Sequence, residues 1–381
     1  MGHDVGSSAA GTGSEAGRSV PVMASGQGMP EQELEGPRRL QAGRKVHGPL
    51  RIFLGLLVSL CCLVLVLRGV QWNAIAAILG DMRLLPLIAA VAVEFLTFWA
   101  IAARWQRLFA PHTLPSRASL FEILTIAQLV NGVLPAKLGP LVRAYLAGQG
   151  ESKGVAFALT TIVGEKLVEG ISLFVIGACL LPFVPLQDWL RPATWVGAAL
   201  LLIALGVVLW VAFRRETAGR WMRRLLGRWP RLLGAAESAL AALRVWQDPR
   251  SVLALAGWSV LIWAMTVFLN QLLLWSLGIE VPLVAPLLLL VVLQIGVRVP
   301  SSPGSIGVFH YLSVLTLVLF GVDKDLAFAY GVLLHLVTYL PPSLLGVAFL
   351  GKSGYSLRRL RQAVGSVPEL ADSSGSDEDN L

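Results

Sequence analysis

Charged residues are scarce in this chain, at 14% of its 381 residues, whereas a typical soluble domain has about 25%. The three cysteines, Cys61, Cys62 and Cys179, all lie in apolar stretches, which excludes a disulfide framework and a thiolate metal site. The five histidines lack the i,i+4 spacing of a zinc-binding helix. The composition excludes a soluble globular enzyme, an ordinary nucleic-acid-binding domain and a disordered chain, and we expect no metal and no cofactor.

Apolar residues, in contrast, make up 55% of the chain and form runs of 16 to 27 residues. A run of ~18 or more is typical of a membrane-spanning helix, because a hydrocarbon core of ~30 Å needs ~20 residues at 1.5 Å each. The runs lie at about 50–67, 84–103, 119–134, 155–181, 193–213, 251–277, 283–299, 305–321 and 326–350. We therefore predict an all-α polytopic membrane protein with about eight membrane helical segments.

Two polar tails flank the predicted membrane domain, which occupies residues 50–350. Residues 1–49 are rich in Gly, Ser, Glu and Pro, which predicts a disordered tail. They contain no apolar segment of the kind that a secretory signal requires. Residues 351–381 begin basic and end acidic, which indicates a second solvated tail.

The distribution of lysine and arginine predicts the orientation in the membrane. Twenty-one of these residues lie in the connections 38–51, 104–118, 214–250 and 351–361. Only four lie in the connections 68–83, 182–192, 278–282 and 322–325. Because cytoplasmic loops accumulate positive charge, we predict a multi-pass protein of the cell membrane with both termini in the cytoplasm.

This orientation conflicts with a full crossing by residues 119–134, because the segment with nine arginines would then lie outside. A hairpin that enters from the cytoplasm and turns back removes the conflict. Pro135, Gly139 and Pro140 stand at the turn, where proline removes backbone donors and glycine permits unusual dihedral angles. Broken backbone at membrane depth requires surrounding protein or a watery cavity. Residues 119–150 are therefore predicted to form a re-entrant hairpin.

A second part of the chain repeats this pattern in the opposite orientation. Each unit has a glutamine, a Pro-x-x-x-Gly break and an Ala-Phe-Ala helix start: Gln128, Pro135, Gly139 and 156–158, then Gln294, Pro300, Gly304 and 327–329, with Pro303 inside the second break. These matches predict an inverted-topology repeat, as in transporters whose sites lie near the bilayer midplane. Whether 283–299 and 305–321 span or re-enter stays open.

Three ionisable residues, Glu165, Lys166 and Glu169, lie near the middle of one apolar run, where a charge costs at least ~2.5–3.5 kcal/mol. The two glutamates share a helical face, on which they could meet Lys137 and Arg143 of the hairpin. One interpretation is a polar cavity that accepts a charged headgroup, with cations that hold phosphate. The other is a buried ion-pair clasp between hairpin and helix.

The candidate headgroup or cavity residues are Lys137, Arg143, Glu165, Lys166, Glu169, Arg298, His310 and His335. Arg143 is favoured because a guanidinium matches phosphate geometry, and an interfacial snorkelling arginine is its alternative. The histidines either titrate near neutral pH or pack. We expect interhelical hydrogen bonds from Glu94, Gln128, Asn131, Asn270, Gln271 and Gln294.

Three further patterns carry no catalytic prediction. The arginine- and tryptophan-rich segment 214–250 suits a helix on anionic lipid better than nucleic acid. Residues 346–353 match the letters of a phosphate-binding loop without its strand–loop–helix context. Asp323 and Asp325 form an acid pair in a short external turn, where Asp325 is expected to cap a helix. We predict that the protein is not an enzyme and binds no nucleic acid.

Three motifs, in order, resemble a known family. They are NGVLPAKLGPLVRA at 131–144, GEKLVE at 164–169 and PSSPGSIGVF at 300–309, and Arg104-Trp105 also fits. The chain resembles, over about 50–350, the flippase-like membrane family named for the transmembrane region of lysylphosphatidylglycerol synthases. The resemblance implies a lipid-translocating domain of about eight helical segments. No soluble stretch exceeds about 50 residues, so we expect no aminoacyl-transferase domain of the kind that gives the family its name, and lysyl transfer is not implied.

Several residues depart from the pattern that the resemblance implies. Pro140 stands where an acid is expected, and Lys137 and Lys166 stand where arginines are expected. His310 replaces an expected acid and His335 an expected arginine. These replacements put an ionic mechanism in the second unit in doubt, and a neutral or singly protonated histidine pair is our hypothesis for that position.

The function that we expect is the binding or translocation of a phospholipid or polyprenyl-linked lipid between leaflets. The alternative is a non-transporting scaffold or accessory subunit for a lipid-modifying, glycosyl-transferring or other cell-envelope enzyme. A polyprenyl-phosphate-dependent transferase is less favoured, because no credible external acid pair or base is present. The expected partners are thus membrane lipids and, in the scaffold alternative, such an enzyme.

Overall fold

The described part of the chain is helical throughout. A computed structural model describes residues 47–68, 70–110, 114–134, 137–149, 154–183, 214–228, 249–298 and 301–352, and the single positions 199, 203, 206, 233 and 360. Its α-helices are α1 His47–Leu67, α2 Trp72–Gly80, α3 Leu84–Arg107, α4 Arg117–Val133, α5 Gly139–Gln149, α6 Gly154–Leu180, α7 Arg215–Leu226, α8 Pro249–Ser276, α9 Val284–Gly296, α10 Val308–Val318 and α11 Lys324–Lys352. No strand occurs within these ranges, and the predicted all-α class is confirmed.

Three described helices, α3, α8 and α11, are long and apolar enough to cross a membrane. The pair formed by α1 and α2 adds a fourth candidate, with a bend of 84° between the two helices. Helix α6 has 27 residues, which is sufficient length, but it contains the three ionisable residues discussed above. The helices α9 and α10, with 13 and 11 residues, are shorter than the ~20 residues of a full crossing.

Two large apolar clusters make up most of the core of the described structure. One contains Trp105 and Phe109 of α3 and residues of α4, α5 and α6. The other contains residues of α1 to α3 and of α8 to α11, among them the fully buried Tyr330. Tyr330 donates a hydrogen bond to Asn270 Oδ1 at 3.1 Å, and Asn270 Nδ2 donates to the Pro286 carbonyl at 3.3 Å. The interhelical bonds predicted for Asn270 are thus confirmed.

The first predicted break lies between α4 and α5. Pro135 is outside the described residues, but the chain on either side is helical up to Val133 and from Gly139. The Asn131 side chain accepts a hydrogen bond from the Gly139 backbone N–H at 2.8 Å, which ties the two helices across the break. Lys137 has a positive φ of 51°, so the backbone between them turns sharply.

The second predicted break separates α9 from α10. Pro300 is outside the described residues, and Pro303 begins a 3₁₀ turn at Pro303–Ser305. Gly304 and Gly307 have φ values of 65° and 92°. At Gly307 a Cβ atom would lie 2.2 Å from the Ser59 carbonyl oxygen, so only glycine allows α1 to approach this closely.

Helix α11 contains two consecutive prolines, Pro341 and Pro342. Pro342 has no N–H to donate to the carbonyl of Thr338 four residues earlier. Gln128 of α4 donates to that carbonyl instead, at 3.5 Å. The interhelical bond predicted for Gln128 is confirmed, and its reason is the proline, which leaves an acceptor in an apolar environment.

The structure corrects two details of the connections between helices. Residues 72–80 form α2 where the sequence predicts only a loop; buried Ile75 anchors this short helix. Asp325 does not cap α11 through its own side chain. Asp323 Oδ1 accepts the Asp325 N–H at 2.8 Å, and Asp325 instead accepts a 3.4 Å hydrogen bond from the Gln71 N–H.

The basic segment after residue 213 includes α7, on which Trp221 and Leu225 are exposed. This pattern supports the prediction of a lipid-facing amphipathic helix, which stays a prediction. The predicted apolar run 193–213 and most of the two tails, 1–46 and 353–381, lie outside the described residues apart from four single positions.

Candidate functional site

A buried ionic network joins α3, α5 and α6. Arg104 Nη2 lies 3.3 Å from Glu165 Oε1 and 2.9 Å from Glu169 Oε1. Arg143 pairs with the second oxygen of Glu165. The side chains of Arg104 and Glu165 are each 1% exposed, so the charges neutralise one another in a medium that solvates them poorly.

Aromatic and hydroxyl groups hold the two arginines of this network in place. The Arg143 guanidinium lies 4.0 Å from the centroid of the Trp105 ring, a favourable cation–π geometry. Trp105 Nε1 in turn donates to Thr161 Oγ1 at 2.9 Å. Arg104 Nη1 donates to Ser259 Oγ at 3.4 Å, which links the network to α8.

The network reaches a cavity through Glu169. Glu169 Oε2 lies 2.7 Å from Lys166 Nζ and 3.7 Å from Arg298 Nη2. Lys166 and Arg298 are 45% and 46% exposed, respectively. These two cations therefore keep exposed donor groups beside the cavity, whereas the guanidinium groups of Arg104 and Arg143 are enclosed by protein.

The cavity itself has a volume of about 630 Å³ and is lined by both predicted repeat units. Its polar lining residues are Glu94, Thr97, Gln128, Asn131, Lys137, Lys166, Glu169, Thr266, Asn270, Gln294, Arg298, Ser305, Thr338 and Tyr339. Pro140 and Gly304 from the two breaks also line it. The breaks thus face the same space.

A second concavity, of about 990 Å³, lies beside α6 and α8. None of its described lining residues is charged, so it cannot neutralise an ionic ligand. Within the described ranges, no group of three His, Cys, Asp or Glu side chains is arranged to hold a metal ion.

The structure divides the predicted candidates into three groups. Lys137, Lys166, Glu169 and Arg298 line the cavity. Arg143 and Glu165 lie behind it in the buried network. His310 and His335 form the third group, and neither lines the cavity.

The two histidines stack on each other, with ring centroids 5.1 Å apart and an interplanar angle of 26°. His335 also contacts the ring of Tyr339, a cavity residue, at 4.4 Å. The Nδ1 atoms of both histidines are buried and have no hydrogen-bond partner among the described residues. The positions at which the resemblance implies an acid and an arginine are therefore in contact.

Arg104 is the member of the buried ionic network that sequence analysis missed. Its position near the end of an apolar run placed it among the cations of a cytoplasmic connection. It lies instead within the last turn of α3 and is buried. The Arg104-Trp105 pair noted in the family resemblance was the available signal, because both residues contact the hairpin or α6.

The expected interhelical bonds are wrong for three residues. The side chains of Glu94, Gln271 and Gln294 have no hydrogen-bond partner within the described ranges. Glu94 and Gln294 face the polar cavity, and Gln271 faces the apolar concavity. A polar side chain that faces a cavity does not need a hydrogen-bond partner on a neighbouring helix. Sequence spacing alone does not show which side chains face a cavity.

Apolar helices of membrane-spanning length around a charged cavity define an integral membrane protein. The chain belongs to the family described as the lysylphosphatidylglycerol synthase TM region, whose model matches residues 52–346. A UPF0104 membrane protein of Methanothermobacter thermautotrophicus is 23% identical over 292 residues, which cover 71% of this chain and 86% of that protein. The family predicted from three motifs is confirmed, and its description refers to a transmembrane region and to no catalytic domain.

Proposed function

We propose that the protein binds the anionic headgroup of a phospholipid or polyprenyl-linked lipid in its polar cavity and moves it between leaflets. The observation that carries this proposal is the charge of the site. The cavity and the network behind it contain five cations, Arg104, Lys137, Arg143, Lys166 and Arg298, and three acids, Glu94, Glu165 and Glu169. An excess of two positive charges in a low-dielectric space favours a negatively charged ligand.

The cations have different tasks in this proposal. Lys166 and Arg298 are exposed and Lys137 is half-buried, and all three line the cavity, so they contact the phosphate directly. Arg104 and Arg143 act as positioning residues, because their guanidinium groups hold Glu165 and Glu169. Glu169 then fixes Lys166 and Arg298 at the cavity edge.

The proposed path through the membrane depends on the two breaks. We infer that α4 with α5, and α9 with α10, are re-entrant hairpins within about eight membrane segments of an inverted repeat. The short lengths of α9 and α10 support this inference. Both breaks line the cavity, and the headgroup would pass between them while its tails stay in lipid. This topology has both termini in the cytoplasm of a cell-membrane protein.

Reconstitution into vesicles tests the proposal. We expect the full chain to scramble fluorescent phosphatidylglycerol, and the Lys137→Gln/Arg298→Gln double variant to lower the rate at least ~10-fold, because each removes a charge-assisted phosphate contact worth ~1.5–3 kcal/mol. Arg68→Gln is the matched control, because Arg68 is exposed and does not line the cavity. Equal scrambling by the double variant would contradict the role of the cavity cations.

A second candidate function is a non-transporting scaffold for a lipid or cell-envelope enzyme. The observation that favours it is the near-complete burial of Arg104 and Glu165, which suits a clasp between helices. Stoichiometric co-purification of one membrane enzyme, without lipid movement in vesicles, would support this function over the first.

A further inference from the structure

Glu94 is an acidic residue of the cavity that takes no part in the ionic network. It lies in α3, is 8% exposed and lines the cavity. Within the described ranges it has neither a hydrogen-bond nor an ion-pair partner, whereas Glu165 and Glu169 are both paired. An unpaired carboxylate inside a membrane protein is costly, and such residues are typical of proton pathways.

The surroundings of Glu94 provide donors and positive charge from several elements. The titratable and charged groups that line the same cavity are Lys137 between α4 and α5, Lys166 and Glu169 of α6, Arg298 after α9, and Tyr339 of α11. Helix α8, which packs along α3, contributes the neutral Thr266 and Asn270. Behind Tyr339 stands the stacked pair His310 and His335.

A bound phosphate and an ionised Glu94 would share one cavity of about 630 Å³. Two negative charges in one cavity of this size repel each other. The surrounding protein has a lower dielectric constant than water and therefore weakens this repulsion less than water would. A proton on Glu94 removes the repulsion and supplies an O–H donor. The cavity thus accommodates the phosphate better when Glu94 is neutral.

We propose that Glu94 is a proton-binding site coupled to the lipid, so that a proton and an anionic headgroup occupy the cavity together. This inference rests on the proposed lipid function. The proton comes from solution, adds to a carboxylate oxygen of Glu94 when the headgroup binds, and returns to solution when the headgroup leaves. Binding of the anion is then linked to proton uptake, and a proton gradient supplies a driving force for lipid movement.

Calorimetry on the full chain in detergent measures this linkage. The probe is dihexanoyl phosphatidylglycerol, whose phosphodiester has a single, strongly acidic proton and therefore keeps one negative charge throughout the titration. Titrations in two buffers with different ionisation enthalpies count the protons taken up with the lipid. We expect uptake approaching one proton per lipid, and an affinity that falls by up to about tenfold per pH unit where Glu94 ionises.

Substitutions assign the proton to a residue. The Glu94→Gln variant, which is close to isosteric, should bind the lipid without proton uptake and with an affinity independent of pH. The His310→Gln/His335→Gln variant should keep both the uptake and the pH dependence. Loss of the uptake in the histidine variant would overturn the assignment to Glu94.

The titration of the wild-type protein tests both proposals by itself, without any variant. Lipid binding with no proton uptake at any pH would overturn the coupling and leave the lipid function intact. Absence of phosphatidylglycerol binding at every pH would contradict the lipid function itself, and the coupling with it.

Discussion

Arg104 and Glu165 are 61 residues apart in the sequence, yet their side chains lie 3.3 Å apart and each is 1% exposed. Each of them also has a second partner, Glu169 for Arg104 and Arg143 for Glu165. The four side chains thus form a chain of alternating charge. Removal of one charged side chain can leave its partner unpaired in the protein interior. Removal of Arg143 and Glu165 together leaves the pair of Arg104 and Glu169 intact.

The alternating charges of the network can be tested by substitution. The Glu165→Gln variant leaves Arg143 without an acidic partner in the described structure. We expect a loss of about 3–5 kcal/mol in the free energy of unfolding. The Arg143→Met/Glu165→Gln variant should recover much of this loss, because Arg104 and Glu169 remain paired. Thermal unfolding in detergent, followed by the loss of the monodisperse peak, measures both variants.

Lys166→Gln is the control for this test. Its pair with Glu169 is on the same helix and 45% exposed at the lysine, so we expect a change below about 1 kcal/mol. A double variant no more stable than Glu165→Gln would contradict the alternating arrangement.

The hydrogen bond from Gln128 to Thr338 should depend on Pro342. Gln128→Leu leaves the Thr338 carbonyl unpaired, at a cost of about 1–3 kcal/mol. In a Pro342→Ala background, the new N–H of residue 342 can reach that carbonyl, and the same substitution should cost much less. Comparison of the two shifts in melting temperature, with Gln271→Leu as the unbonded glutamine control, measures the coupling. Equal shifts in both backgrounds would refute the compensation.

The contact between α1 and the second break should tolerate no side chain at Gly307. Gly321 is the matched control, because its φ of 79° is similar and no heavy atom lies within 4 Å of its Cβ position. We expect Gly321→Ala to cost about 1–2 kcal/mol through the backbone alone. Gly307→Ala should lower the melting temperature considerably more, because α1 must also move from Ser59. Similar melting temperatures for the two variants would contradict a close contact between α1 and the backbone at Gly307.

The stacked histidines should accept the ion pair that the family pattern implies. His335→Arg alone introduces a buried cation beside His310 and should destabilise the protein by about 3 kcal/mol or more. The His310→Glu/His335→Arg variant should regain most of this stability, because the new charges lie within contact distance. The melting temperatures of the two variants measure this recovery. A double variant as unstable as the single variant would contradict the formation of an ion pair.

Sequence periodicity and composition predicted the helices better than the site. The runs that became α3, α8 and α11 are apolar over a full membrane thickness, and such runs have few alternatives to a helix. Short α2 was missed because nine residues between turns give little periodic signal. The pairing of Glu165 with Arg143 followed from helical spacing and the position of the hairpin.

Other features of the site depend on packing that no local pattern encodes. Arg104 resembles a loop cation in sequence, and only the approach of α6 reveals its burial. Gln128 and Gln294 precede the prolines of the two breaks by seven and six residues, but of these two glutamines only Gln128 faces an acceptor without a helix donor. The partner is decided by Pro342, which is more than 200 residues away.

The four inner residues of the ionic network all lie between positions 104 and 169, and this has a consequence for biosynthesis. A growing chain can neutralise these charges as soon as α6 has entered the bilayer, before α8 to α11 have been synthesised. The cavity, in contrast, requires Arg298 and Tyr339 and is complete only when α11 has docked. The nascent protein can therefore pair its buried charges early, and it completes the cavity last.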